Sequence, residues 1–303
     1  MDRPNAGGGA TVTVGIVGLG QMGSGMAASL LRAGFTVLGH DVDASRRAQA
    51  AELGVQVHDT LAPVLAQADR LVFSLPYARD VESVATAPQG LLQRRDRRVI
   101  VVDTSTSDPT TTRRLAATLA AAGHGLLDAP VSGGPLGALA GTLTMMVGGE
   151  ACDLDAARPV LDALAARVVH VGPSGAGNVA KLVNNLLVAQ HLITAQEALR
   201  LSEAAGLPAQ AALEVVNAAT GRSAATEAMV PRWVLPGAFD SGFTAGLMRK
   251  DVTLALALAQ ELGLDLPLAQ AGAQLWEAAR PRLPDAADFT RMADFRDPPT
   301  EPR

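Results

Sequence analysis

Lys181 and Asn185 stand four residues apart in an otherwise apolar stretch, Asn178-Val179-Ala180-Lys181-Leu182-Val183-Asn184-Asn185. On a helix that spacing puts both side chains on one face, with Asn184 turned partly aside. An amine beside a carboxamide can hold a hydroxyl group by two hydrogen bonds. Desolvation disfavours the ammonium and brings a lysine pKa down toward working pH. The neutral amine can then accept the hydroxyl proton as hydride leaves the adjoining carbon, and the ammonium can return it in the reverse direction. The competing reading is a surface lysine beside a solvated amide pair. Composition bears on that choice. Lysine and arginine total 25, yet Lys181 and Lys250 are the only lysines. Arginine stays charged and cannot exchange protons, whereas lysine can be tuned to titrate.

Hydride transfer needs an acceptor, and one segment has the form of a dinucleotide cradle. Gly18-Leu19-Gly20-Gln21-Met22-Gly23 matches G-x-G-x-x-G, follows an expected strand and opens an expected helix. The first two glycines allow a tight turn and the close approach of a pyrophosphate. The third lets the helix pack on the strand, and the helix N-terminus faces the phosphates. The second strand ends at His40-Asp41-Val42. Asp41 lies 23 residues after Gly18, close to the roughly 20 expected of the acid that binds ribose hydroxyls. A carboxylate there repels a 2′-phosphate, and position 42 is valine rather than arginine, which favours NAD over NADP. Arg46 and Arg47 leave NADP open, and Asp41 or Asp43 could instead cap the next helix.

The remaining composition excludes other chemistries. Cys152 is the sole cysteine, and the five histidines (His40, His58, His124, His170, His191) show no metal-ligand spacing, so no metal site is expected. A net charge of -5 argues against nucleic acid. No apolar run approaches the roughly 18 residues of a membrane span. The segment Met1 to Gly9 has no apolar core of a signal peptide, so a cytoplasmic protein is expected.

The elements that must position these residues fall into two halves. Residues 11–17, 35–39, 70–75, 98–103, 143–148 and 167–171 read as strands, and 21–33, 44–53 and 110–122 as helices. Near-continuous apolar strands alternating with helices predict an α/β domain, a doubly wound Rossmann-type parallel sheet covered on both faces. After residue 174 the pattern is helical only: 178–205, 208–219, 251–263 and 267–280. Gly206-Leu207-Pro208 supplies the stop of the first of these. The expected organisation is a flexible lead-in over 1–10, a dinucleotide-binding domain over 11–174, an all-helical substrate and oligomerisation domain over 175–290, and a flexible tail over 291–303. Apolar residues on more than one face of the later helices predict a homodimer or homotetramer.

Four segments combine into a resemblance. They are Gly18 to Gly23, Asp128-Ala129-Pro130-Val131-Ser132-Gly133-Gly134 through Gly149, Gly172 to Asn185, and Phe243 followed by Lys250-Asp251. Over about residues 12–285 the chain resembles the β-hydroxyacid dehydrogenase family, which includes 3-hydroxyisobutyrate dehydrogenases. The resemblance implies NAD(P)-linked oxidation of a small 3-hydroxy acid, with Lys181 as general acid/base and Asn185 beside it. It implies a carboxylate cradle at Ser132, Gly133 and Gly134, a hydroxyl and bare backbone N–H groups that suit an anion. It further implies Thr106 near the nicotinamide, Leu75 and Pro76 packed on the cofactor, Lys250 closing over it, and Phe243 and Asp251 in the substrate pocket. Phe243 could equally be core, and Lys250-Asp251 a surface pair. Arg222, in the loop Thr220 to Thr226, is either a second anion contact or solvated. An aldehyde or imine reductase of the same fold, or a non-catalytic module that keeps the fold, are the alternatives. Lys181 argues against the imine-reducing branch, and the intact Lys181, Asn185 and Ser132 disfavour the non-catalytic module.

Overall fold

The computed structural model describes residues 12–88, 90–94 and 96–294; the expected lead-in over 1–10 and the end of the tail lie outside them. The chain divides into two compact units between Ala180 and Lys181, inside one long helix rather than at the expected 174/175 boundary.

In the first unit six strands run parallel in the order β3-β2-β1-β4-β5-β6: β1 (Thr13–Val17), β2 (Thr36–His40), β3 (Gln56–Val57), β4 (Arg70–Phe73), β5 (Ile100–Asp103) and β6 (Gly125–Asp128). They alternate with α1 (Gln21–Arg32), α2 (Ala44–Glu52), α3 (Leu61–Gln67), α4 (Ala78–Ala85) and α5 (Pro109–Ala121). Successive strand residues face opposite sides of the sheet. Val14, Ile16, Val72, Ile100, Val102 and Leu127 pack with Met26 and Leu30 of α1. Val17, Leu71, Phe73, Val101 and Leu126 pack on the other face with Leu65 of α3, Val81 of α4 and Leu119 of α5. This two-sided burial is why these strands read as unbroken apolar runs.

The sheet is not wholly parallel. Beyond β6 come β7 (Val131–Ser132), α6 (Gly134–Ala140), β8 (Leu143–Gly148), α7 (Ala151–Leu164) and β9 (Ala165–Gly172). β8 lies antiparallel to β6 and to β7, and β9 lies parallel to β8 after the α7 crossover, giving nine strands. The glycine-rich link after β7 is short enough to turn the chain back, whereas the crossover to β9 has the length a parallel pair needs. The expected strands and helices include neither β6 nor α7, nor the shorter β3, α3, α4, β7 and α6.

The second unit is helical. It holds the greater part of α8 (Ala176–Ala204), then α9 (Ala209–Ala218), a π-helix over Ala225–Val234, α10 (Ala245–Glu261), α11 (Pro267–Ala278) and a 3-10 helix over Phe289–Ala293. Past the end of α8, Gly206 takes φ +83° and Leu207 N–H bonds back to the Ser202 carbonyl, as the expected stop requires. α10 begins six residues before the expected 251, because the Thr244 hydroxyl accepts from Leu247 N–H and caps it. Lys250 therefore sits inside that helix rather than ahead of it, and Asp251 lies in its second turn rather than at its start. Residues 291–293, expected in the tail, end the 3-10 helix instead, with Met292 and Ala293 in the core.

Trp276 anchors this core. It is 1% exposed, packs among Ala189, Leu192, Met248 and Val252, and donates from its indole N–H to the Ala189 carbonyl. Trp276→Ala is expected to destabilise the second unit by about 3–5 kcal/mol. Urea denaturation followed by circular dichroism checks this; a loss below about 1 kcal/mol would mean the core collapses around the gap.

Candidate active site

At the carboxyl end of β1 the glycine loop is shaped by contact. Gly18 has φ +91°, and a Cβ on it would collide with the Ser74 carbonyl. A Cβ on Gly23 would overlap the Gly18 carbonyl, so α1 could not seat against the strand. A Cβ on Gly20 would instead have Arg46 Nη1, 3.9 Å away, as its contact within 4 Å. The loop is thus crowded behind and open in front, where a diphosphate would approach the first-turn N–H groups of α1. The residues present fit a dinucleotide on that ground.

Asp41, at the end of β2, is buried. Its Oδ2 accepts from Leu19 N–H at 2.7 Å and its Oδ1 from Asp43 N–H at 2.9 Å. The cap of α2 is Asp43, whose carboxylate accepts from Ser45 N–H. The capping role therefore falls to Asp43, while Asp41 ties the strand end to the glycine loop.

The loops after β4 and β5 are locked to each other. Leu75 N–H donates to Ser105 Oγ at 3.0 Å, Thr104 Oγ1 donates to the Phe73 carbonyl, and Ser105 N–H donates to Asp103 Oδ1. Pro76 is exposed and Thr106 half-buried on these loops. Gly18, Leu75, Thr106 and the segment after Asp128 all follow the carboxyl ends of parallel strands, the edge at which such sheets bind ligands. Ser132 is half-buried on β7 opposite Thr144, and Gly133 and Gly134 follow with φ of +127° and +63°.

Beside them lies a network that the sequence reading missed. Asp128 is fully buried and accepts from Gly175 N–H at 2.8 Å and Asn178 N–H at 2.9 Å, holding the first turn of α8. Burial pushes its carboxyl above the usual range, opposed by these backbone hydrogen bonds. Asn178, also fully buried, accepts from Ser107 N–H and donates to Thr112 Oγ1. These partners are 47 or more positions apart in sequence, and nothing local announces them.

In the second unit, Lys181 and Asn185 are both buried on α8. Asn185 Nδ2 donates to Asp251 Oδ2 at 2.6 Å, and its Oδ1 accepts from Asn184 Nδ2 at 3.0 Å. An amide NH₂ has two hydrogens, and Asp251 takes one of them. Asp251 is 1% exposed, and its Oδ1 pairs with Lys250 Nζ at 3.3 Å. Lys181, Asn185, Lys250 and Asp251 thus form one cluster across α8 and α10. Burial lowers the Lys181 pKa; Asp251 opposes that shift and Lys250 reinforces it. Phe243 is half-buried, its ring edge-on to Phe289 at 5.3 Å and packed against the core, so the core reading accounts for its placement. Arg222 is exposed in the loop before the π-helix.

The comparisons with known proteins agree over most of the chain. A family model described as the NAD binding domain of 6-phosphogluconate dehydrogenase matches residues 13–172. One described as NAD-binding of NADP-dependent 3-hydroxyisobutyrate dehydrogenase matches 175–295. The chain is 37% identical over 270 residues to a 2-(hydroxymethyl)glutarate dehydrogenase of Eubacterium barkeri, covering 89% of this chain and 90% of the relative. It is 35% identical over 294 residues to an NAD-dependent L-serine dehydrogenase of Pseudomonas aeruginosa, covering 94% and 98%. A solved structure of Mycobacterium tuberculosis 3-hydroxyisobutyrate dehydrogenase with L-serine superposes with a TM-score of 0.87 at 35% identity, covering 93% of this chain and 98% of that one.

Because the chain has two lysines, isotopic labelling of lysine gives two side-chain signals, assigned with Lys250→Arg. Lys181 is expected to titrate below the ordinary lysine range. Asp251→Asn should move it lower still, by removing the charge that favours the ammonium. An ordinary titration, or an upward shift in Asp251→Asn, would contradict the cluster's electrostatics.

Proposed function

As a member of the β-hydroxyacid dehydrogenase family, the chain is an NAD(P)-linked oxidoreductase acting on a CH–OH group, and we propose that Lys181 is its general acid/base toward a small 3-hydroxy acid. The observation that carries the role of Lys181 is its burial at 8% exposure beside an amide and a carboxylate. A lysine so placed is held toward its neutral form and offers a lone pair.

The neutral Nζ accepts the substrate hydroxyl proton as the C–O single bond becomes a carbonyl. NAD, which Gly18 to Gly23 and Asp41 would hold, would supply the hydride acceptor. In the reverse direction the Lys181 ammonium returns the proton to the oxygen. Asn185 has its carboxamide plane fixed by Asp251 and Asn184, so its remaining N–H hydrogen is aimed rather than free to rotate. It orients the same hydroxyl. Ser132 and the backbone of Gly133 and Gly134 hold the substrate carboxylate. Gly18 to Gly23, Asp41, Leu75, Pro76, Thr106 and Lys250 hold the cofactor, and Asp41 favours NAD. Asp251 acts through Asn185 and Lys250.

The relatives' named substrates share a pattern. 2-(Hydroxymethyl)glutarate, L-serine and 3-hydroxyisobutyrate are all HOCH₂–CH(R)–COO⁻, with R a propionate, an ammonium or a methyl group. We assign this chain the common part, a primary alcohol β to a carboxylate. We likewise propose that the helical domain, expected over 175–290, reads the substrate and carries oligomerisation.

Lys181→Arg keeps the charge but removes the base. It should lower kcat by about 10²–10⁴ while leaving NAD affinity nearly intact. Retention of more than about a tenth of kcat would refute the proton-transfer role.

Oligomerisation is supported by exposed apolar side chains. Val183 and Leu187 lie one turn apart on α8 and are more than half exposed, as are Leu201, Val215 and Leu268. We propose a cytoplasmic homodimer or homotetramer that covers these residues. No helix among the described residues is long and apolar enough to cross a membrane. Light scattering should give a multiple of the 31.0 kDa chain mass, and the mass of one chain would overturn the proposal.

A further inference from the structure

The proposed base and the residue proposed beside the nicotinamide stand on different elements, Lys181 on α8 and Thr106 on the loop after β5. One buried side chain touches both elements. Asn178 is 0% exposed, in the first turn of α8. Its Oδ1 accepts from the N–H of Ser107, the neighbour of Thr106, at 2.9 Å. Its Nδ2 donates to Thr112 Oγ1 at 3.1 Å, in the first turn of α5. Its backbone N–H donates to Asp128 Oδ2 at 2.9 Å.

Main-chain contacts already hold the start of this helix. Asp128 accepts from the Gly175 and Asn178 N–H groups, and a Cβ on Gly177 would collide with the carbonyls of Asp128 and Met146. None of these contacts requires an amide side chain at 178. A buried carboxamide costs free energy unless its donors and acceptor are paired, so an apolar residue would fill the position with less demand. What the amide adds is the tie to Ser107 and Thr112. Asn178, Lys181 and Asn185 are three and seven positions apart, so they share one face of α8. A tie that sets the rotation of α8 at Asn178 therefore also sets the direction in which Lys181 leaves the helix, one turn on.

We propose that Asn178 is a positioning residue for the hydride transfer: through Ser107 and Thr112 it holds the loop of Thr106 in register with the helix of Lys181, and so keeps the base aligned with the carbon that gives up hydride. The inference rests on the roles proposed above for Lys181 and Thr106. Enclosed by protein, Asn178 touches neither substrate nor cofactor, and its effect is geometric. Reacting groups must be close and aligned, and a misplacement of about 1 Å caused away from the chemistry costs about a hundredfold in rate.

The test compares Asn178→Ala, Thr112→Val and Thr112→Ser, each alone and combined with Lys181→Ala. Turnover is measured with saturating NAD and the best accepted of 3-hydroxyisobutyrate, L-serine and 2-(hydroxymethyl)glutarate. Asn178→Ala should lower kcat about tenfold to a hundredfold, with KM and NAD affinity changed less than about twofold. Thr112→Val keeps the side-chain shape but removes the hydroxyl, and should lower kcat by a smaller factor; Thr112→Ser should restore it. In the Lys181→Ala background no base remains to be aimed, so adding Asn178→Ala should cost less than about twofold. A merely structural part would cost the same in both backgrounds. Unchanged kcat in both Asn178→Ala and Thr112→Val, equal losses with and without Lys181, or a loss confined to NAD affinity would overturn the proposal. If Asn178→Ala does not fold, the same comparison with Thr112→Val decides. Full activity of Lys181→Ala, or no turnover of the three acids by wild type, would instead overturn the acid/base and substrate readings on which it stands.

Discussion

An amine withdrawn from water must be neutral, or paired, or both, because the ammonium loses its hydration without return. Lys181 lies under that constraint, and the second unit is arranged around it. The nearest acid, Asp251, is already shared between the Lys250 ammonium and the Asn185 amide. With Lys181 neutral, the remaining charges of the cluster, Lys250 and Asp251, balance. With Lys181 protonated, two cations share one carboxylate. The neutral form is therefore the one that the buried cluster suits, and on the proposed mechanism the protonated form is reached when a substrate hydroxyl loses its proton. Burial sets the direction of the pKa shift, and the pair on α10 adjusts it.

A second constraint, steric rather than electrostatic, governs the first unit. The glycine loop has no spare room behind it: side chains at Gly18 or Gly23 would strike backbone carbonyls. The loop's position is fixed further by Asp41, whose carboxylate spans Leu19 and Asp43. What remains adjustable lies in front, where Gly20 is open and Arg46 is loosely tethered, by ion pairs of 3.7 Å to Asp41 and 3.8 Å to Asp43. The division between fixed and movable parts follows from where polar groups are saturated with hydrogen bonds and where they are not.

Local signals were legible in the sequence and long-range ones were not. The G-x-G-x-x-G turn, the i, i+4 pairing of Lys181 with Asn185, the Gly206 stop and the strand–helix alternation all depend on residues close together in the chain. The sharing of Asp251 with Asn185 joins positions 66 apart, and no spacing rule reports it. The Asp128 and Asn178 network is hidden for the same reason, although both residues stood within motifs that were noted. α10 starts ahead of the expected 251 because its capping hydroxyl is Thr244, farther back. The π-helix has no periodic signature, and Pro231 within it reads as a helix breaker. Antiparallel β8 could not be told from a parallel strand, since both are buried apolar runs.

The scarcity of lysine bears on how much weight the cluster can carry. Arginines elsewhere in the chain do structural work that needs a permanent charge and several donors. Arg249, 3% exposed, donates to the carbonyls of Trp276 and Leu283 and pairs with Asp285. Arg94 donates to the carbonyls of Leu65 and Ala68. A guanidinium suits such sites because it does not titrate and presents a planar fork. The same property disqualifies it as a base. Both positions that keep an amine, Lys181 and Lys250, are brought together on neighbouring helices around a single buried carboxylate. A chain that supplies its fixed cations almost wholly as arginine, and keeps its two titratable amines in one buried cluster, has separated structural charge from exchangeable protons. That separation, more than burial alone, distinguishes Lys181 from a lysine that is merely enclosed.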